Sequence, residues 1–196
     1  MIRAFLAIDL PKELKKKLHE LSFIPQPETL KIKWVEEKNF HLTLRFFGDV
    51  SESFLKKLYN RTEKVVKEIE IFKLKIGELG FFPEKANPRV VWIGISYETG
   101  SQIEKLLKLS EDLTRAFKRL KISEKKEKFH PHITLFRIKK LGNPRDFQEY
   151  FAHLQKEAEK IKNYTFYVRE VTFFKSILLP KGPVYEVLQK FNFKDE

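Results

Sequence analysis

Cysteine is absent from the chain, which excludes disulfides, thiolate catalysis and Cys-ligated zinc or iron–sulfur centres. Long apolar runs are also missing, so no segment is predicted to span a membrane. Neither a Gly-rich phosphate loop nor a Lys-Ser/Thr Walker signature occurs, so ATP or GTP binding has no local support. The start, 1–10, has a short apolar run without a signal-peptide cleavage pattern, and we expect a cytoplasmic protein that does not bind membranes.

Positive charge is in excess. The chain has 39 Lys+Arg against 27 Asp+Glu, which gives a net charge of +12 over 196 residues. Such a balance suits a polyanionic partner such as RNA. The solvated, Lys/Glu-rich surface of heat-adapted proteins would give the same excess, and both explanations can hold together. Hydrophobic residues, at 42%, suffice for a folded core, and no obligate protein partner is implied.

Hydrophobic periodicity divides the chain into alternating strands and helices. Period-two and continuous apolar runs predict strands, and apolar residues at helical spacing predict helices between them. An exposed Lys-rich loop is expected over 121–128 and a hairpin around 181–183. Strands are predicted over 2–8, 40–47, 72–76, 89–95, 130–138 and 164–174, and helices over 11–21, 52–69, 103–117 and 147–161.

Both halves of the chain show the order strand, helix, histidine-bearing strand, helix, strand, which indicates an internal duplication. We therefore predict an α+β fold of two pseudo-symmetric lobes, each a small, mostly antiparallel sheet backed by helices. The lobes are expected to be intertwined within a single domain, 1–196, and to face each other across a central cleft.

The tripeptide His-x-Thr occurs twice, as His41-Leu42-Thr43 and His132-Ile133-Thr134, 91 positions apart. With five His and eight Thr in the chain, chance predicts about 0.2 such tripeptides. On a strand, residues i and i+2 share a face, so each imidazole stands beside a threonine hydroxyl. A single buried histidine is usually structural, but the repetition favours a functional pair.

Two opposed histidines are suited to cleaving a phosphodiester. The reaction needs a base that takes a proton from the attacking oxygen and an acid that protonates the departing oxygen on the opposite side of phosphorus. Imidazole titrates near neutral pH, so one ring can be neutral while the other is charged. The hydroxyls of Thr43 and Thr134 would donate to non-bridging phosphoryl oxygens and so bind the phosphate.

These features resemble the two-histidine (2H) phosphoesterase superfamily, which is defined by two His-x-Thr-x motifs on duplicated lobes. The resemblance is strongest to the RNA 2′,3′-cyclic phosphodiesterase family, also called the 2′-5′ RNA ligase family. Further segments look like family segments in family order, namely 3–8, 34–48, 81–94 and 176–191. The likeness therefore covers nearly the whole chain.

This resemblance implies a reaction, a partner and roles for the histidines. Family members open a terminal 2′,3′-cyclic phosphate of RNA to a 2′-phosphate without a metal or cofactor. Some run the reverse reaction and join tRNA halves through a 2′-5′ linkage. By resemblance, His41 is the proton donor and His132 the proton acceptor, roles that the physics of the sequence alone does not assign.

Two arginines are candidate substrate contacts. Strict alternation places Arg45 on the face of His41, where its guanidinium could reach the phosphate, and an exposed sheet arginine is the alternative. Arg137 resembles a family arginine, but strict alternation places it opposite His132, so a bulge would be needed to turn it into the cleft. Five aromatic residues could stack on bases, although core packing is expected for most of them: Trp34, Phe47, Phe82, Phe136 and Tyr185.

Three other functions remain open. His130 and His132 form a His-x-His pair that could begin a metal site, but neither cysteine nor a matching His/carboxylate cluster accompanies it. A phosphodiesterase for small substrates, such as ADP-ribose 1″,2″-cyclic phosphate, would use the same chemistry without needing a basic surface. An RNA-binding module with inactive histidines would need only the charge.

Overall fold

The structure, a computed structural model, describes residues 1–84, 87–120, 128–180 and 182–194. The predicted Lys-rich loop lies outside the described residues except for Lys128. The strands are β1 Ile2–Asp9, β2 Leu30–Trp34, β3 His41–Val50, β4 Phe72–Phe82, β5 Val90–Ile95, β6 His132–Leu141, β7 Thr165–Val168, β8 Glu170–Leu179 and β9 Gly182–Asn192. The helices are α1 Lys12–Glu20, α2 Glu52–Val66, α3 Ile103–Lys118 and α4 Pro144–Ala158.

Local sequence explains where the helices begin. Ser51 caps α2 by accepting a hydrogen bond from the backbone N–H of Phe54 at 3.2 Å. Asn143 caps α4 in the same way, and Pro144 occupies its first turn, where no backbone donor is needed. The buried apolar side chains of all four helices belong to one hydrophobic core beneath the sheet. No described helix is both long and apolar enough to cross a membrane.

The strands form one antiparallel sheet in the order β7-β4-β5-β6-β3-β1-β8-β9, with β2 also paired to β6. The α+β class and the antiparallel pairing were predicted from the sequence and are confirmed. The strands from the two ends of the chain, β1, β8 and β9, lie on the side of β3. β5, β4 and β7 lie on the side of β6, and β2, from the first half of the chain, also pairs with β6. The two halves therefore exchange segments.

The two halves of the sheet join where the histidine strands meet. Leu42 of β3 pairs with Ile133 of β6, and both side chains are fully buried. On the opposite face from the helices, Phe5, Ala7 and Phe174 form a second, smaller apolar cluster. The sheet therefore has a core face and a cleft face, and the histidine motifs flank its central junction.

Candidate active site

β3 and β6 present their motifs to the cleft face. Since Leu42 and Ile133 point into the core, the residues on either side of each point the other way. His41, Thr43, His132 and Thr134 are all partly exposed and line the same cavity. The structure thus brings together the four residues that the sequence pattern selected.

Backbone carbonyls fix the orientation of both imidazoles. The Nδ1 of His41 lies 2.7 Å from the carbonyl oxygen of Asn39, and the Nδ1 of His132 lies 2.7 Å from that of His130. A carbonyl oxygen only accepts, so each Nδ1 carries a proton and each Nε2 is the nitrogen that titrates. The Nε2 of His41 lies 2.9 Å from Thr43 Oγ1, which donates to it while the ring is neutral.

Burial lowers the pKa of His41 from 6.5 to about 4. The carbonyl of Asn39 and the charge of Asp9 partly offset this effect, while Lys15 and His132 add to it. The two histidines are therefore close enough for their charges to interact. In the free protein His41 is neutral at pH 7.

The cavity that holds both motifs has a volume of about 460 Å³, a size suited to a small ligand or one end of a larger one. Its charged lining comprises Arg3, Lys33 and Arg137 against one acidic residue, Glu36. The cavity therefore favours an anion. The other lining residues are Phe5, Trp34, Val35, Asn39, Phe46, Ser176, Leu178, Gly182, Pro183 and Tyr185.

A β-bulge in β3 overturns the placement predicted for Arg45. Thr43 pairs with Ala7, but the next pair along is Arg45 with Leu6, so Leu44 is an extra residue without a partner in β1. The bulge turns Arg45 toward the core side, where it is 9% exposed and does not line the cavity. The expectation that Arg45 shares the face of His41 is wrong. Phe46 takes that place and lines the cavity instead.

A bulge at the equivalent position of β6 has the opposite consequence for Arg137. Thr134 pairs with Trp92 and Phe136 with Val91, so Leu135 is the extra residue. This is the bulge that the sequence argument required, and it turns Arg137 into the cavity lining. The two bulges stand three residues after their histidines, which places them at matching positions in the two lobes.

Aromatic rings surround each histidine. The ring of His41 lies 4.9 Å from Phe5 and 5.3 Å from Tyr185, and that of His132 lies 5.3 Å from Phe82. Of the five aromatic candidates, Trp34 and Tyr185 line the cavity and Phe82 borders His132. Phe47 and Phe136 pack into the core, the role expected for most of the five.

Asn39 is a site residue that the sequence analysis missed. Its side chain is 5% exposed and donates through Nδ2 to the carbonyl oxygen of Pro183 at 2.9 Å. One residue therefore orients His41 through its backbone and holds the start of β9 through its side chain. An asparagine two positions before a histidine carries no periodic signal, so only the fold reveals this link.

Trp92 and Gly80 were missed for a similar reason. The indole of Trp92 lies 4.7 Å from the ring of His130 and 6.0 Å from that of His132. It packs directly over Gly80, where an added Cβ would lie 2.3 Å from the indole carbons. Because Gly80 has no side chain, the indole can pack against β4 beside the ring of His132.

The metal alternative gains no further ligands from the fold. Within the part of the chain that the structure describes, no three His, Cys, Asp or Glu side chains are grouped to hold one metal ion. The ring of His130 packs 5.4 Å from Phe82 and does not line the cavity.

Paired His-x-Thr motifs on the two halves of one antiparallel sheet define the class of two-histidine phosphoesterases. Comparison with known proteins agrees: residues 10–177 match the 2′-5′ RNA ligase superfamily, and the chain belongs to that family. Two proteins named RNA 2′,3′-cyclic phosphodiesterase, from Methanothermobacter thermautotrophicus and Methanocaldococcus jannaschii, are each 31% identical to it. Each alignment covers 97% of this chain, and 98% and 100% of the relatives respectively.

Solved structures show the same fold. The protein TT0787 of Thermus thermophilus is 28% identical and superposes with a TM-score of 0.78 over the whole of both chains. E. coli LigT complexed with 3′-AMP is 26% identical, with a TM-score of 0.73 over 98% of each chain.

Proposed function

We propose that the protein is an RNA 2′,3′-cyclic phosphodiesterase that opens the terminal cyclic phosphate to a 2′-phosphate. The observation that carries this proposal is the pair of imidazoles in one cation-lined cavity, each with Nδ1 bound to a carbonyl oxygen, so that Nε2 is the nitrogen that can transfer a proton. The names of the relatives supply the substrate class, and the net charge of +12 fits a polyanion.

In the proposed reaction, water attacks phosphorus as the bond from phosphorus to the 3′-oxygen breaks. His132 takes the proton of the attacking water at Nε2, and His41 donates a proton from Nε2 to the departing 3′-oxygen. Thr43 and Thr134 donate to the non-bridging oxygens, and Arg137 compensates their charge. No role is proposed for Arg45.

The donor role of His41 requires the substrate. A pKa of about 4 leaves the free imidazole neutral, so it must gain its proton as the phosphate binds. The phosphate anion supplies the reason, because a negative charge against the ring favours imidazolium. The imidazole of His41 is thus neutral in the empty cleft, and beside the bound phosphate it carries the proton that it donates.

If the 5′-hydroxyl of a second RNA attacks phosphorus in place of water, His132 takes the proton of that hydroxyl and His41 again protonates the departing 3′-oxygen, so the two ends become joined through a 2′-5′ phosphodiester. We propose ligation of RNA ends such as tRNA halves as a secondary activity, and we place the protein in the cytoplasm. The family name supports the former, and the absence of cysteine from the sequence suits the latter.

The test is incubation of a short RNA ending in a 2′,3′-cyclic phosphate with excess EDTA, followed by identification of the phosphomonoester. Native protein is expected to give a 2′-phosphate, and the His41→Ala and His132→Ala variants are expected to give none. Opening that EDTA abolishes would contradict the metal-independent mechanism. If native protein fails to open the RNA, the small cyclic substrates or the RNA-binding alternative would replace the proposal.

A further inference from the structure

The strand pair β2–β6 carries an unusual arrangement of charge on the cleft face. Lys33 lies directly opposite Arg137, and Lys31 lies directly opposite Lys140. All four side chains are exposed. Like charges facing each other across strands destabilise a sheet, so this arrangement works against folding.

Other charged pairs in the sheet are matched by opposite sign. Arg3 faces Asp49 across β1 and β3, and Lys175 faces Glu186 across β8 and β9, where the side chains lie 3.2 Å apart. Among the directly facing charged pairs of the described strands, like charges occur only on β2–β6. Among the described residues, no ion pair involves Lys31, Arg137 or Lys140.

These four residues, which we call the basic track, are continuous with the active site. Lys33 and Arg137 line the cavity together with His132 and Thr134, and Lys31 and Lys140 form the next pair on the same face of the two strands, outside the cavity lining. Side chains two positions apart on a strand share a face and are separated by about 6.6 Å along it. The track therefore leads outward from the histidines along one face.

We propose that the outer pair of the basic track, Lys31 and Lys140, binds the phosphates of the RNA strand that lie 5′ of its last two nucleotides. This inference rests on the proposed function, because it assumes that the cyclic end lies between the histidines. A 3′-terminal nucleotide continues only on its 5′ side, so the strand needs a single exit from the cleft. On the His41 side, Arg3 is already paired with Asp49, at 4.0 Å, whereas Lys31 and Lys140 face each other and neither faces a carboxylate across the strands.

The test compares a dinucleotide and an octanucleotide, both ending in a 2′,3′-cyclic phosphate. The track variant is Lys31→Gln/Lys140→Gln, which lies outside the cavity lining. The control is Lys57→Gln/Lys64→Gln, two exposed lysines of α2, which removes the same net charge from the helix side. kcat/KM is measured for both substrates from low to high salt.

Native protein is expected to prefer the octanucleotide at low salt. The track variant should lose that preference, while its activity on the dinucleotide and the behaviour of the control stay unchanged. Loss of two contacts to single-stranded RNA lowers the log–log salt slope by about 1.4, which is about 25-fold over a tenfold change in salt. An unchanged salt slope in the track variant, or an equal decrease of the slope in the control variant, would contradict RNA binding by Lys31 and Lys140.

Failure of the track can be told apart from failure of the proposed function. Turnover of the dinucleotide depends on the cavity and not on Lys31 or Lys140. A protein that opens the dinucleotide but shows no preference for longer RNA would therefore keep the proposed function and contradict RNA binding by the outer pair. A parallel titration with the labelled octanucleotide compares His132→Ala with and without the Lys31→Gln/Lys140→Gln substitutions. It gives Kd as a function of salt for both proteins without cleavage. If the native protein opens neither substrate, this titration still decides whether Lys31 and Lys140 bind RNA.

Discussion

The lowered pKa of His41 predicts a pH-dependent cost to stability. Between pH 4 and pH 6.5 the unfolded chain binds a proton at this imidazole that the folded chain excludes, so stability falls as the pH falls through that window. A shift from 6.5 to about 4 amounts to about 2 kcal/mol at pH 5 and to almost nothing at pH 7.5.

Other titrating groups also contribute to acid destabilisation, so the prediction concerns a difference. Urea unfolding of the native protein and of His41→Gln should be compared at pH 7.5 and pH 5. The native protein should lose about 2 kcal/mol more than the variant between these pH values. Thr43→Val, which keeps the buried imidazole, should behave like the native protein. A difference below about 0.5 kcal/mol would refute the claim that burial holds His41 neutral.

Three further predictions concern the surroundings of the histidines. Gly80→Ala should lower the free energy of unfolding by about 1–3 kcal/mol, because its Cβ would lie 2.3 Å from the Trp92 indole. Adding Trp92→Phe should recover part of this loss in a double-mutant cycle, and simple additivity would contradict the contact. Asn39→Leu should lower the free energy of unfolding by about 1–3 kcal/mol and slow hydrolysis, since it leaves the Pro183 carbonyl without its donor; a stable variant with native kcat would show that β9 does not need this bond. The pH profile of kcat should be bell-shaped, and a flat profile from pH 5 to pH 9 would contradict a histidine pair.

Sequence periodicity located the strands that carry the histidines but not every face of them. The alternation from Phe40 to Thr43 holds, because regular pairing preserves a period of two. It fails at Leu44, where β1 offers no partner and the strand bulges. The local pattern of β3 contains no mark of this, because the register depends on a neighbouring strand. Arg45 was misplaced for that reason.

The same limit explains what sequence alone left undecided in the second lobe. Arg137 reaches the cavity only because Leu135 is an extra residue against β5. Asn39 and Gly80 act through partners 144 positions away and on the adjacent strand, respectively, and neither partner is visible in a local window. The opposition of Lys31 and Lys140 likewise requires the register of β2 on β6. The repeated motif therefore predicted the catalytic chemistry, whereas the residues around the histidines could be placed only from the pairing of the strands.

The most direct test of the paired-histidine mechanism separates the acid from the base. A cyclic substrate with sulfur in place of the 3′-oxygen has a departing thiolate that needs no proton, so only the base is still required. We expect His41→Ala, inactive on the oxygen substrate, to open the sulfur analogue, whereas His132→Ala should open neither. Rescue of His132→Ala alone would reverse the two roles, and rescue of both variants or of neither would contradict the division of acid and base between these histidines.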